Sequence, residues 1–264
     1  MLVQRVLSAL VLIPIVLLAV KLGGLYFLAL VTVVALLASY EFYGLLRTGG
    51  HQPSRVAGLA LVLALMAAAY VPRQEIGRFG IAAVLMGMMI CAVLRRNVQG
   101  FLVNWALTLV GALYVGGLLG HLISLRGLAR GCELIILTCA VTWVCDTGAY
   151  FVGSRWGRHG FFTHVSPRKT WEGALAGFFT GTLAAVIVGP YAGLVLWQSL
   201  SLGALLVVGL TFGDLAESLV KRQIGVKDSG ALIPGHGGML DRVDSLLYAG
   251  TIVYYFAIWV ARAG

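Results

Sequence analysis

Nine apolar runs, at roughly 6–22, 25–45, 56–71, 79–94, 102–123, 133–153, 173–189, 201–220 and 245–262, follow one another along this chain. Only short polar stretches separate them. A segment that crosses the hydrocarbon core of a bilayer needs about 20 mostly apolar residues, and a helix there satisfies its own backbone hydrogen bonds. The runs therefore predict an all-α fold, a polytopic integral membrane helical bundle of about nine transmembrane helices. Just 11% of the residues are charged, against about 25% in soluble domains. No stretch is polar enough to form a separate domain, so residues 1–264 read as a single membrane domain. Its N-terminal helices, 1–125, carry no motif, and its motif-bearing half is 133–264. The first run resembles a signal peptide but lacks a small-residue cleavage site, so it reads as a retained helix. Pro190 should end the seventh run, because proline cannot supply the next backbone donor.

Charge placement gives an orientation. With nine spans, thirteen Lys and Arg side chains fall on the side of the N-terminus and six on the other (Lys21, Arg73, Arg78, Arg126, Arg130 and Arg262). Basic loops stay in the cytoplasm, which places the N-terminus there, in a cell inner membrane. The polar loops at 154–172 and 221–244 are two spans apart and face the same side. The net charge of +9 fits contact with anionic membrane lipids. No nucleic-acid-binding module accompanies it, so no nucleic-acid partner is expected. The four cysteines, Cys91, Cys132, Cys139 and Cys145, form no CxxC pair and are expected reduced and buried. Small-residue pairs at Gly116/Gly120, Gly173/Gly177/Gly181 and Gly209/Gly213 permit close helix approach, within one chain or across a homodimer.

The densest polar stretch is Ser218–Asp244, with seven charged residues and five glycines in 27 positions. Upstream, Asp146 lies inside the sixth run. A carboxylate there costs roughly 2.5–3.5 kcal/mol on insertion scales unless paired or wetted, so it marks either a packing contact or a polar cavity. Asp214, Glu217, Ser218 and Lys221 are spaced i, i+3, i+4, i+7 and share one helix face. Ser166, Arg168, Lys169 and Thr170 precede a helix start, where donors favour anions. Lys227, Asp228, His236, Gly237, Gly238, Asp241, Arg242 and Asp244 complete the set. Basic side chains hold phosphates, and paired carboxylates hold Mg²⁺. Phosphoryl or nucleotidyl transfer needs both. His236 is either a general base or part of a tight loop that exposes backbone N–H groups to an anion. No P-loop, HExxH or zinc spacing is present.

One further reading stays open on the residues alone. An anion transporter would line its path with the 214–221 stripe, although Leu134–Leu137 and Leu202–Leu210 leave the outer halves of those runs almost wholly apolar.

The spacing Ser218-x-Val220-Lys221-Arg222, Lys227-Asp228-x-Gly230 and Ile233-Pro234-x-His236-Gly237-Gly238-Met239-x-Asp241-Arg242-Val243-Asp244 resembles the hallmark of the phosphatidate cytidylyltransferases, the CDP-diacylglycerol synthases. Asp146-Thr147-Gly148-Ala149-Tyr150, Ser166-Pro167-Arg168-Lys169-Thr170 and Gly213-Asp214 are similar to the same family. The resemblance implies that CTP and phosphatidic acid give CDP-diacylglycerol and pyrophosphate, with Mg²⁺ assisting, in a dimeric membrane enzyme whose site opens to the cytoplasm. It implies a metal role for Asp214 and Asp241, and Asp146 or Asp244 is expected to complete or buttress that site. A CTP-dependent polyprenol kinase would also bring CTP to a membrane lipid, but would transfer the γ-phosphoryl group and release CDP rather than pyrophosphate. Lys221 joins these carboxylates as a catalytic candidate. Ser166, Arg168, Lys169, Ser218, Arg222, Lys227, His236, Gly237, Gly238 and Arg242 are the candidates for binding CTP and the lipid phosphate. Residues 218–244 are then expected to cover a cleft whose other wall carries Asp146.

Overall fold

The computed structural model describes residues 13–71, 74–94, 99–230 and 237–261. The helices are α1 (Ile13–Leu22), α2 (Gly24–Thr48), α3 (Arg55–Tyr70), α4 (Gln74–Val93), α5 (Phe101–Gly111), α6 (Leu118–Arg126), α7 (Gly131–Trp156), α8 (Trp171–Val188), α9 (Leu196–Ile224) and α10 (Leu240–Trp259). A π-helical segment, Ala112–Gly117, joins α5 to α6 without a break. Among the described residues the only β pairing is an isolated bridge between Gly160 and Thr170. Among the described residues each apolar run of the sequence falls on helical structure; residues 6–12 of the first run and 262 of the last lie outside them. Five of these helices are long and apolar enough to cross a membrane: α2, the continuous stretch Phe101–Arg126, α7, α8 and α9. The helices Ile13–Leu22, Arg55–Tyr70 and Gly77–Val93 are apolar but shorter.

The chain divides into two units. Met1–Ser124 and Gln223–Val243 form the first, and Leu125–Arg222 and Asp244–Gly264 form the second. In the first unit Tyr43 on α2 is fully buried. Its hydroxyl donates to the Thr108 carbonyl at 2.7 Å, at the point where α5 gives way to the π segment. The ring lies in a slot left by two missing side chains. A Cβ at Gly111 would come 2.5 Å from Tyr43 Cε1, and one at Gly58 would collide with the ring outright. Ser54 caps α3 through the Ala57 N–H at 3.4 Å.

In the second unit the glycine stripe of α8 packs on α7. A Cβ at Gly173 would come 2.8 Å from the Ala149 carbonyl, and one at Gly177 3.2 Å from the Cys145 carbonyl. The stripe therefore serves packing inside the chain, and larger side chains there would wedge the two helices apart. Helix α8 ends at Val188, two residues before Pro190, as the proline predicts. Thr170 caps its start, accepting the Gly173 N–H at 3.2 Å. The cysteines are all free. The expected burial holds for Cys145 and fails at Cys91, which is exposed on α4.

Candidate active site

In the second unit, α7, α8, α9 and the 157–170 loop enclose a cavity of about 490 Å³. Asp146, Arg168, Lys169, Thr170, Asp214 and Ser245 are among its polar lining residues, with Ser154 and Thr211, and Cys145, Ala149, Phe161, Ala174 and Leu210 are among its apolar ones. The loop is built to deliver its cations. Phe161 and Val165 bury against Leu215 of α9. The Phe161 N–H donates to the Lys169 carbonyl at 2.8 Å, and the Trp171 N–H donates to the His159 carbonyl at 2.9 Å. His159 in turn pairs with Glu172 at 2.6 Å. The loop is thus pinned from both ends, and Lys169 is held at its rim.

From there Lys169 Nζ reaches Asp214 Oδ2 at 2.7 Å. The two side chains remain 26% and 39% exposed, so the pair is open to an incoming ligand. Asp214 also accepts from the Ser218 hydroxyl at 3.4 Å, one turn along the predicted stripe. The rest of that stripe behaves differently. Glu217 is 1% exposed and pairs with Lys221 at 2.6 Å. Lys221 is therefore neutralised inside the protein and does not line the cavity. Arg222 is exposed and donates from Nε to the Val165 carbonyl at 3.2 Å, bracing the loop from α9. Ser166 uses its backbone in the turn, accepting from the Lys169 N–H at 3.2 Å, and is likewise outside the lining.

Asp244 sits where α10 enters this unit. Its Oδ1 accepts the Ser245 N–H at 2.6 Å, and it lies in the fields of Asp214 and Asp146, which oppose its charge, and of Lys221, which favours it. Ser245 was not anticipated. A serine between an aspartate and an apolar run gives no signal until the helix register is known.

In the first unit the motif residues fold around a different carboxylate. Asp241 accepts from the Ser229 N–H at 3.1 Å, the Ser229 hydroxyl at 2.9 Å and the Gly238 N–H at 2.8 Å, all at Oδ2. Gly237 has φ +79°, a conformation that favours glycine. Lys227 and Arg242 are exposed, and His236 lies outside the described residues. Glu41, on α2, was assigned no role in the sequence, yet its Oε2 accepts the Leu240 N–H at 2.8 Å. The available signal was an acidic residue within the apolar run LLASYEFYGLL, since an ionisable group in a spanning helix marks a functional position by default.

Comparison with known proteins adds the family. The model of the cytidylyltransferase family matches residues 3–260. The phosphatidate cytidylyltransferase of Synechocystis is 32% identical over 285 aligned residues, covering 97% of this chain and 96% of that protein. The Pseudomonas aeruginosa protein of the same name is 36% identical, covering 100% of this chain and 99% of its own. A Brucella suis protein, again of that name, is 35% identical over 96% of this chain and 92% of its own. Matched from near its first residue to near its last, the chain belongs to the cytidylyltransferase family.

Proposed function

We propose that the protein is a phosphatidate cytidylyltransferase of phospholipid biosynthesis, which converts CTP and phosphatidic acid into CDP-diacylglycerol and pyrophosphate. The observation that carries this reading is the Lys169–Asp214 pair, open on a cavity that also holds Arg168 and Asp146, in a chain whose full-length relatives bear that name. An oxygen of the lipid phosphate forms a bond to the α-phosphorus of CTP. The bond from that phosphorus to the oxygen bridging to the β-phosphate breaks, and pyrophosphate leaves with the electron pair. The attacking phosphate is already ionised, so no strong base is required. What the protein must do is hold two polyanions together and balance the charge that grows on the leaving group.

Lys169 and Arg168 supply that positive charge from the loop. Thr170 and the start of α8 present the favourable end of a helix dipole beside them. Lys221, Arg222, Lys227, His236, Gly237, Gly238 and Arg242, with the Ser166 and Ser218 hydroxyls, are the further phosphate contacts proposed from the family pattern. Of these, Lys221 and Arg222 act through Glu217 and the loop respectively while substrate is absent.

Mg²⁺ is the proposed cofactor, with Asp214 and Asp241 as ligands and Asp146 or Asp244 in support. The donor chemistry of the second unit fits: Asp214 and Asp146 both oppose the charge of Asp244, and oxygen-only carboxylate groups suit a hard dication. Among the described residues no three His, Cys, Asp or Glu side chains converge into a ready-made metal cage. Mg²⁺ accepts such a site, since it takes its remaining oxygens from substrate phosphates and water. When bound it would neutralise charge on the phosphoryl oxygens. In the same reading the protein is a multi-pass homodimer of the inner membrane, with its site open to the cytoplasm, as the family pattern and the distribution of Lys and Arg suggest.

The test is the purified protein in nanodiscs containing phosphatidic acid, supplied with CTP. CDP-diacylglycerol and pyrophosphate should appear in equal amounts, stop with EDTA and resume with Mg²⁺. Release of CDP in place of pyrophosphate would assign γ-phosphoryl transfer and overturn the reading. Anion flux in sealed vesicles without CTP turnover would do the same.

A further inference from the structure

We propose that Glu41 is a positioning residue for the reaction, acting as the N-cap of α10 from a separate helix and fixing the motif residues Ser229, Gly230, Gly238 and Leu240 around its buried carboxylate. This rests on the proposed function in one respect, the participation of Asp241.

The geometry makes the argument. Glu41 lies on α2, 188 residues before Ser229, and is 5% exposed. The first N–H groups of any helix lack partners within it. In α10 the Leu240 N–H finds Glu41 Oε2 at 2.8 Å. Capping groups are ordinarily supplied by the residue just before the helix; here the acceptor comes from elsewhere in the sequence, so it anchors the helix start in space as well as satisfying it. The negative charge also faces the favourable end of the α10 dipole.

The same carboxylate shapes the loop. Ser229 Oγ lies 3.3 Å from Glu41 Oε2 and 2.9 Å from Asp241 Oδ2. A hydroxyl has one proton, and the shorter contact identifies Asp241 as its acceptor. Asp241 then holds the Ser229 and Gly238 N–H groups too, so Ser229, Gly238 and Asp241 form one hydrogen-bonded cluster, and Glu41 is tied beside it through the Leu240 N–H.

Two glycines of the motif exist to admit Glu41. A Cβ at Gly230 would come 2.6 Å from Oε1, and its three nearest neighbours are all Glu41 atoms. A Cβ at Gly238 would collide with both Glu41 Oε2 and Ser229 Oγ. The glycine at 238 thus has a packing reason beside any approach to phosphate.

Burying a carboxylate so thoroughly is costly unless its bonds are made; Oε2 has its partner in the Leu240 N–H, whereas Oε1 is buried against Gly230 without one among the described residues. A hydrogen bond to a charged group is worth enough that its loss at a positioning residue should slow turnover about tenfold or more. The experiment is a cycle of Glu41→Ala, Gly230→Ala and the double variant, in nanodiscs with CTP and phosphatidic acid. Each single variant should lower kcat about tenfold with KM for CTP changed less than threefold. The double variant should be no slower than Glu41→Ala alone, because truncating Glu41 makes room for the new methyl group. Additive losses, or wild-type kcat in Glu41→Ala, would overturn the proposal.

Limited proteolysis of the same proteins gives a readout independent of activity. Cleavage at 226–230 or 237–240 should accelerate in Glu41→Ala while cleavage in the 157–170 loop does not change. Equal cleavage at those positions in variant and wild type would overturn the inference. Accelerated cleavage together with wild-type turnover in Asp241→Asn would instead locate the failure in the role given to Asp241.

Discussion

Replacing Lys169 with Met should separate stability from catalysis, because the structure gives its ammonium one partner at rest and the proposed reaction gives it another. At rest Nζ lies 2.7 Å from Asp214 Oδ2, and the side chains are 26% and 39% exposed. Coulomb's law at a near-surface dielectric gives about 4 kcal/mol for unit charges 4 Å apart. That figure overstates this pair, since solvent screening and lost side-chain freedom reduce exposed ion pairs to about 0–1 kcal/mol. Removing the cation should therefore cost the fold no more than about 1 kcal/mol, a shift of a few degrees in thermal midpoint. Its catalytic cost is set by a different comparison. Deleting one preorganised group that meets developing charge lowers kcat by about 10²–10³-fold. The assay is CDP-diacylglycerol formation by Lys169→Met in nanodiscs, with the midpoint measured on the same sample. A loss of about 10²-fold or more with a near-normal midpoint is expected. Turnover within threefold of wild type in an intact protein would refute the role given to Lys169. So would a midpoint falling in proportion to activity, which would make the pair a structural tie.

Glu217→Gln should be the more damaging change to the fold: it strands Lys221, 12% exposed, and breaking a buried pair on one side costs about 3–5 kcal/mol. Thermal unfolding checks this, and Glu217→Leu combined with Lys221→Met should recover much of the loss. Arg222→Ala removes the brace to the Val165 carbonyl; it should speed proteolysis of the 157–170 loop and raise KM for CTP, with kcat reduced less than tenfold. Gly177→Leu places a branched side chain where a bare Cβ already lies 3.2 Å from the Cys145 carbonyl, so it should abolish monodisperse protein in size-exclusion chromatography.

Where the helices run was legible in the sequence, because apolar length and the polar breaks between runs are local properties. Pro190 and the Thr170 cap marked the two ends of α8 for the same reason. The 214–221 stripe was legible as a helix face, since spacing alone determines it. How that face divides was not. Asp214 turns to the loop cation, and Glu217 and Lys221 close on each other, because the outcome depends on the position at which Phe161 and Val165 seat the loop against Leu215. Partners distant in the chain were equally hidden. No local pattern links Glu41 to Leu240, although the isolated acid in an apolar run announced that some partner existed. Asp146 was legible as either a packing contact or a cavity group, and its common cavity with Asp214, Arg168 and Lys169 comes from helix packing that glycine spacing only permitted.

The π segment at Ala112–Gly117 bears on which changes of length the family can tolerate. A π turn carries about one residue more than the α path it replaces, so that stretch holds a surplus. Deleting a single residue within it should let the helix close into regular α geometry, with Leu119, Leu122 and Leu125 still on the buried side. Deleting one residue elsewhere between Phe101 and Arg126 rotates everything beyond it by about 100° and turns those leucines outward. Within this helix, gaps among homologous sequences should therefore collect at 112–117.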